Sequence, residues 1–92
     1  MGKAVVVTTE YRGVFFGYLK SKPGTVAVLE CARNCLYWST DIQGFMGLAV
    51  TGPTSGCKIG PTVPEITLQK VTAILVCTPA AEKAWKEIPW KI

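Results

Sequence analysis

The sequence predicts a mainly β protein of the α+β type, in which a small, strongly bent antiparallel sheet or a small barrel precedes one short C-terminal helix. Runs of β-branched and aromatic residues such as KAVVVTT and VFFGYL are separated by turns that contain glycine or proline, such as KSKPG. The longest strand candidate, residues 65–77, changes the parity of its apolar positions part-way along, which is typical of a strand that bends within a closing sheet.

Length and composition indicate one domain, residues 1–92. Hydrophobic residues make up 49% of the 92-residue chain and charged residues 17%, which argues against disorder. The N-terminus lacks the features of a signal peptide, and no apolar run approaches the roughly 20 residues of a membrane span. We therefore expect a cytosolic chain with reduced cysteines and no membrane contact. Because the core is small and the fraction of charged residues is low, we also expect a homo-oligomer.

The first third of the chain predicts a meander of antiparallel strands at residues 3–9, 14–19 and 25–31. Gly17 lies inside the second strand, which indicates a sharp bend or the close approach of another part of the chain. The stretch 26–38 (VAVLECARNCLYW) begins as a strand and ends in a group of polar and aromatic residues, so we expect a binding site there. A short further strand at 32–38 is expected after a kink at Arg33 and Asn34.

The middle of the chain is less regular. Residues 39–47 predict a loop with at most a single helical turn, and residues 48–51 predict a short strand. Residues 52–64 (GPTSGCKIGPTVP) are rich in glycine and proline, which favours a hairpin or an ordered loop around Cys57, Lys58 and Ile59.

The C-terminal third predicts a bent strand and then a helix. In the 65–77 strand, the change of parity places a bulge or bend near Gln69 and Lys70. Thr78 is a suitable N-cap with Pro79 at the favoured first position, and the helix should end before Pro89. We expect a set of apolar residues to pack this tail onto the sheet or onto a neighbouring subunit. These residues are Trp85, Ile88 and Trp90.

Several kinds of catalysis lack support in this sequence. The chain has no histidine, so it contains no Ser-His-Asp, Cys-His or histidine-metal constellation, and its carboxylates show no paired spacing. Cys31 and Cys35 have a spacing that zinc sites allow, but Cys57 and Cys77 are isolated, which favours free cysteines packed as small apolar residues. The segment GPTSGCK lacks the order of a phosphate-binding loop. We expect a protein without catalytic residues, metal or cofactor.

Arginines beside aromatics are the strongest binding signal. A guanidinium suits phosphate or carboxylate and aromatic rings stack on bases, so this combination predicts a nucleotide-type ligand. The alternatives are a structural salt bridge from Arg33 to Glu30 or Asp41, and core positions for Tyr37 and Trp38. The candidate ligand-binding residues are Thr9, Tyr11, Arg12, Arg33, Asn34, Tyr37, Trp38 and Lys58.

At EYRGVFFGYL, ARNCLYW and GLAVTGP the sequence resembles a family of small uncharacterised proteins encoded mainly by tailed phages and prophages. The resemblance covers nearly the whole chain and implies a phage origin and expression in the host cytoplasm. The meander followed by further strands is also similar to SH3-like and Sm-like small barrels, although a standard Sm protein carries its helix at the other end. This second likeness concerns the fold alone.

A phage setting favours the hypothesis that the protein sequesters a nucleotide second messenger of bacterial immunity, as an oligomer and without catalysis. Two alternatives remain. One is a nucleic-acid binder, which the scattered lysines and the net charge of +4 support only weakly. The other is a structural component or binder of a host protein, in which the arginine-aromatic sites are interface residues. An enzyme that degrades a nucleotide is a weaker option.

Overall fold

Most of the described residues form β-strands. The computed structural model describes residues 2–10, 13–37, 45–54 and 56–89. The elements, in chain order, are β1 (Ala4–Thr9), β2 (Gly13–Ser21), β3 (Ala27–Tyr37), α1 (Phe45–Val50), β4 (Lys58–Ile59), β5 (Val63–Leu68), β6 (Val71–Val76) and α2 (Pro79–Glu87).

The strands form one strongly bent, six-stranded antiparallel sheet that does not close into a barrel. Its order is β4-β3-β2-β1-β6, and β5 also pairs with β3. Every pairing is antiparallel, so β5 and β6 both run in the direction of β2 and are successive segments of one bent strand. The bend falls at Gln69 and Lys70, where Lys70 has a φ of 55°. The predicted bent sheet and the predicted position of its bend are confirmed.

Strand β3 is longer than predicted and is kinked at a different residue. It continues from Ala27 to Tyr37, and a bulge interrupts it where Cys31 and Ala32 lie together opposite Gly17 of β2. Cys31 has a φ of 50°, the left-handed conformation of one common bulge type. The expected kink at Arg33 and Asn34, with a separate strand after it, is therefore wrong. The close approach expected at Gly17 is confirmed, because a Cβ there would lie 2.8 Å from the Leu29 Cβ.

Helix α1 replaces the short strand expected at residues 48–51. The chain is helical from residue 45 to Val50, and the part of the expected loop at 39–44 lies outside the described residues. Leu48 and Ala49 are buried against the rest of the core, which stabilises the helix despite its short length. Gly52 has a φ of 78°, and a Cβ there would meet the Ala84 Cβ at 2.6 Å. Glycine therefore permits both the end of α1 and its contact with α2.

The sheet separates two cores. The strand-side core is supplied by strands only: Val5, Val7, Ala27, Leu29, Ala32 and Leu68. The helix-side core lies between the sheet and the two helices: Ala4, Val6, Val14, Phe16, Tyr18, Cys35, Leu48, Ala49, Cys57, Ile59, Ala81 and Trp85. Residues of both cores alternate along β1, as expected for a strand that is covered on both faces.

Helix α2 has the predicted bounds and caps. The Thr78 hydroxyl accepts a hydrogen bond from the Ala81 N–H at 3.1 Å, and the helix ends at Glu87, before an extended Ile88. Trp85 is fully buried; its indole N–H donates to the Leu48 carbonyl at 2.9 Å. Its ring stacks on Phe16, with centroids 5.1 Å apart. The helix therefore packs onto the sheet of its own chain.

Candidate functional site

The candidate site is an open cleft with a volume of about 250 Å³ at one end of the strand-side core. Most of its walls are apolar, and Ala32 forms part of its buried floor. The cleft is lined by Phe15, Ala32, Arg33, Asn34, Pro61, Val63 and Ile66. Pockets that enclose a drug-sized molecule measure roughly 300–1,000 Å³. This cleft therefore has room for one planar ring or one apolar side chain rather than for a whole dinucleotide.

Phe15 and Asn34 are direct neighbours across the β2–β3 pair, so they share a face of the sheet. Both side chains are half-buried. No described residue hydrogen-bonds to the side-chain amide of Asn34, although its backbone carbonyl accepts from the Gly60 N–H at 3.0 Å. An amide offers both a donor and an acceptor. The cleft thus combines an aromatic ring with a polar group that is available to a ligand.

Gly60 is the residue that lets Asn34 keep this position. A Cβ on Gly60 would collide with the Asn34 Oδ1. The segment that follows Gly60 contributes Pro61 and Val63 to the cleft wall. The glycine therefore allows the loop before β5 to lie against β3 while the amide stays in place.

Arg33 also borders the cleft, but its guanidinium is engaged in bonds to backbone carbonyls. Its Nε donates to the Gly60 carbonyl at 2.9 Å, and its Nη1 donates to the carbonyls of Trp85 at 2.9 Å and Ile88 at 2.6 Å. The residue is only 6% exposed, and burial lowers the pKa of the guanidinium. These bonds link β3, the loop before β5 and the C-terminal end of α2.

The hydrogen bonds of Arg33 distinguish between its two predicted roles, a ligand-binding residue and a structural salt bridge to Glu30 or Asp41. Its described hydrogen-bond partners are carbonyls rather than Glu30, and Asp41 lies outside the described residues. The carbonyls at a helix C-terminus carry partial negative charge, so they attract a cation much as a carboxylate would. A structural role is thus supported, with different partners from those expected.

The other candidate residues are distributed over several places. Thr9 lies near the cleft, since a Cβ on Gly13 would meet both the Thr9 hydroxyl and the edge of the Phe15 ring. Tyr37 and Lys58 are paired across β3 and β4 and are both exposed. Tyr37 lies three residues beyond Asn34, roughly 10 Å along the strand. Three further candidates lie outside the described residues: Tyr11, Arg12 and Trp38.

Sequence reasoning missed most of the cleft wall. Phe15 lies three residues after Arg12 in the sequence, and no sequence pattern marks Pro61, Val63 or Ile66 as site residues. The alternation in VFFG places Phe15 and Phe16 on opposite faces, which indicates that one of them faces away from the helix-side core. The pairing of Phe15 with Asn34 depends on the register of β2 and β3, which includes the bulge at Cys31.

The cysteines have the surroundings of structural residues. Cys35 and Cys57 are buried in the helix-side core, and the partly buried Cys31 and Cys77 pack against that core. All of these cysteines are free thiols. Burial raises the pKa of Cys35 and that of Cys77 to about 12, so both thiols are protonated at neutral pH. A protonated thiol is a poor nucleophile and a poor metal ligand. Among the described residues, no group of three histidine, cysteine or acidic side chains is placed to hold a metal ion.

Tyr18 makes a further polar contact between the sheet and α2, in addition to that of Arg33. Its hydroxyl donates to the Glu82 carboxylate at 2.8 Å. Burial, and then the nearby carboxylate, raise the pKa of Tyr18 well above its ordinary value. The pair lies on the helix-covered face of the sheet and therefore away from the cleft. It contributes to the attachment of the helix.

These features define a small, mainly β domain with an apolar cleft formed within one chain. The chain belongs to the family described as Domain of unknown function (DUF6948), whose model matches residues 2–85. This confirms the expectation of a family of uncharacterised proteins. No curated protein and no solved structure matches the chain. The described residues form no helix with the length and apolar character needed to span a membrane.

Proposed function

We propose that the protein binds a small nucleotide-type ligand without transforming it, and that the cleft receives the planar base. The observation that carries this proposal is the pairing of the Phe15 ring with the Asn34 amide in an otherwise apolar cleft. An aromatic face provides about 1–3 kcal/mol of stacking per base. The amide supplies the donor and acceptor that the polar edge of a base requires.

The size of the cleft constrains how such a ligand lies. A volume of about 250 Å³ accommodates the base, so the sugar and phosphates extend outside it. No described lysine lines the cleft, and the bonds of Arg33 to carbonyls engage its Nε and Nη1. In this proposal, Arg12 binds the phosphates, as expected from the sequence, and Thr9 lies at the rim of the cleft. Tyr37 and Lys58 remain candidates for the distal part of the ligand.

The biological setting is part of the proposal. The resemblance to tailed-phage proteins supports a phage accessory protein that acts in the host cytoplasm and sequesters an immune second messenger. Sequestration requires binding and no chemistry, which agrees with the protonated thiols of Cys35 and Cys77 and with the lack of histidine. The amount of ligand removed is then proportional to the amount of protein present.

The test is native mass spectrometry of the purified protein, followed by denaturation and identification of any molecule released. A retained, intact nucleotide supports the proposal, and a chemically altered one indicates an enzyme. Thermal shift with cyclic nucleotides and ADP-ribose derivatives then provides the binding assay. We expect Asn34→Ala and Phe15→Leu each to weaken binding about tenfold. An empty protein that shows no thermal shift with any of these compounds excludes the proposal.

Protein binding is the second candidate. The observation that favours it is the exposure of two large apolar side chains at the end of β3, Leu36 and Tyr37, each 53% exposed. Tyrosine is enriched among the residues that dominate the binding energy at the centres of protein interfaces. This candidate predicts a stable complex with a protein that is lost in Leu36→Ser and unaffected by Asn34→Ala. The opposite pattern supports the nucleotide proposal.

A further inference from the structure

The outer edge of β6 lacks a partner among the described strands. Strand β6 pairs with β1 along its other edge, and the Cys77 N–H donates to the Ala4 carbonyl at 2.9 Å. Because the bonded positions of an antiparallel ladder alternate, Leu75 directs its backbone groups toward β1, while Ile74 and Val76 direct theirs away. No described residue bonds to these outward groups. An extended strand is the structure that can satisfy all of them.

The two halves of the bent strand differ in how their edges are protected. Strand β5 contains Pro64 and Glu65, and Glu65 forms an ion pair with Lys20 at 3.0 Å. Proline and charged residues are the usual means by which proteins prevent edge strands from pairing. Strand β6 (VTAILV) has neither, and residues 71–81 contain no charged side chain. Val76 is 61% exposed on this edge. The composition of β6 therefore favours pairing with another strand.

A second copy of this chain fits the edge because β6 is complementary to itself. If Ile74 lies opposite Val76 of the second copy, the two-fold axis passes beside Leu75 and every outward backbone group of both residues is bonded. The exposed Val76 side chain then packs beside Ile74 of the other copy. The irregular pairing of Thr8 and Thr9 with β6 affects only the far end of the strand.

Charge also favours this edge over the remaining surface. The chain has a net charge of +4, so two copies repel each other at most orientations. Like charges directly opposite each other destabilise a strand pair. The uncharged stretch from residue 71 to residue 81 avoids that cost. We propose that β6 pairs antiparallel with β6 of a second copy, which extends the sheet across a symmetric dimer.

The test combines molar mass with amide exchange on the full chain. We expect light scattering after size exclusion to give a dimer mass at high protein concentration. Val76→Lys places a charge on the exposed edge and should raise the dimer dissociation constant at least tenfold. The matched control is Thr67→Lys, an exposed position on β5, which should leave the dimer intact.

Hydrogen exchange identifies the strand involved. The amides of Ile74 and Val76 should exchange more slowly as protein concentration rises, whereas the Leu75 amide, already directed toward β1, should not change. A monomer at all concentrations overturns the inference. A dimer that Val76→Lys leaves intact also overturns it. So does a complex in which a strand of another protein, rather than a second copy, pairs with β6. None of these outcomes bears on the ligand of the cleft, because the dimer inference does not rest on the proposed function.

Discussion

Arg33 and Asn34 are adjacent, yet they have different roles because the bulge at Cys31 determines which face each one occupies. Leu29 lies in the strand-side core, and simple alternation would direct Arg33 to the same side. The extra residue opposite Gly17 reverses the alternation, so Arg33 reaches the end of α2 and Asn34 borders the cleft. One backbone irregularity therefore separates a structural residue from a candidate ligand-binding residue.

Replacing Arg33 tests its structural role. Arg33→Met leaves three carbonyls without their donor, those of Gly60, Trp85 and Ile88. Because buried acceptors without partners cost about 1–3 kcal/mol each, we expect a loss of several kcal/mol in the free energy of unfolding. Urea denaturation measures it. Arg33→Lys retains the charge without the planar fork and should have an intermediate effect. A stable Arg33→Met protein that has lost only ligand binding would instead identify Arg33 as a ligand residue.

Gly60→Ala should affect the cleft more than the fold. The added methyl group collides with the Asn34 Oδ1, the mobile end of a side chain, so the amide turns away at a cost of about 1 kcal/mol or less. We expect the side-chain amide signals of Asn34 to shift in an NMR spectrum, with a small change in melting temperature. In an Asn34→Ala background the same substitution should cost less. Equal costs in both backgrounds would show that the two side chains do not interact.

At the scale of elements, features with a local cause were predictable from the sequence. The strands of the meander, the bend at Gln69 and Lys70 and both ends of α2 follow from β-branched runs, a change of parity and capping residues. Helix α1 was not predictable, because a helix of this length depends on contacts that Leu48 and Ala49 make with the rest of the fold.

The cleft was likewise beyond local reasoning. Its walls come from β2, β3, β5 and the segment that leads into β5, and they meet only through the strand register and the bulge. Asn34 was predicted as a site residue from its polar character beside aromatics. The side chain of Phe15, its neighbour across the strands, has no polar group that would indicate a binding site. Register is a property of the assembled sheet, which explains why one member of the pair was identified and the other was missed.

Thr78 connects the two helices, and its replacement tests that connection. Its hydroxyl caps α2 by accepting from the Ala81 N–H, and it also donates to the Val50 carbonyl at 2.5 Å. We expect Thr78→Ala to lower the free energy of unfolding by about 1–2 kcal/mol, measured by urea denaturation. Thr78→Ser keeps the hydroxyl and should lose less than about half of that. Equal losses in the two variants would show that the methyl group, rather than the hydroxyl, matters.

At the scale of the whole molecule, the helix-side core concentrates weakly acidic groups that are neutral at physiological pH. Burial raises the pKa of Cys35 and Cys77 from 9.0 to about 12, and burial also raises the pKa of Tyr18. All of these groups contribute to the core that holds the helices on the sheet. Their protonated forms are compatible with burial, and their ionised forms are not. Attachment of the helices therefore depends on keeping these groups protonated.

Alkaline pH should consequently destabilise the fold. In the unfolded chain the thiols lose their protons near pH 9.0, whereas in the folded chain Cys35 and Cys77 retain them to about pH 12. Between these values the folded state binds more protons, so stability is complete below pH 9 and decreases as the pH rises toward 12. We expect the midpoint of urea unfolding, measured under reducing conditions, to decrease over this range.

A double variant and added salt identify the cause of this decrease. Cys35→Ala with Cys77→Ala removes both thiols and should reduce the slope of stability against pH above pH 9, while Tyr18→Phe removes the tyrosine contribution. The exposed Lys20–Glu65 pair also favours the protonated form of Lys20, but salt screens such a pair and leaves buried thiols unaffected. A slope that high salt abolishes, or that the double variant leaves unchanged, would place the alkaline sensitivity at the surface rather than in the core beneath the helices.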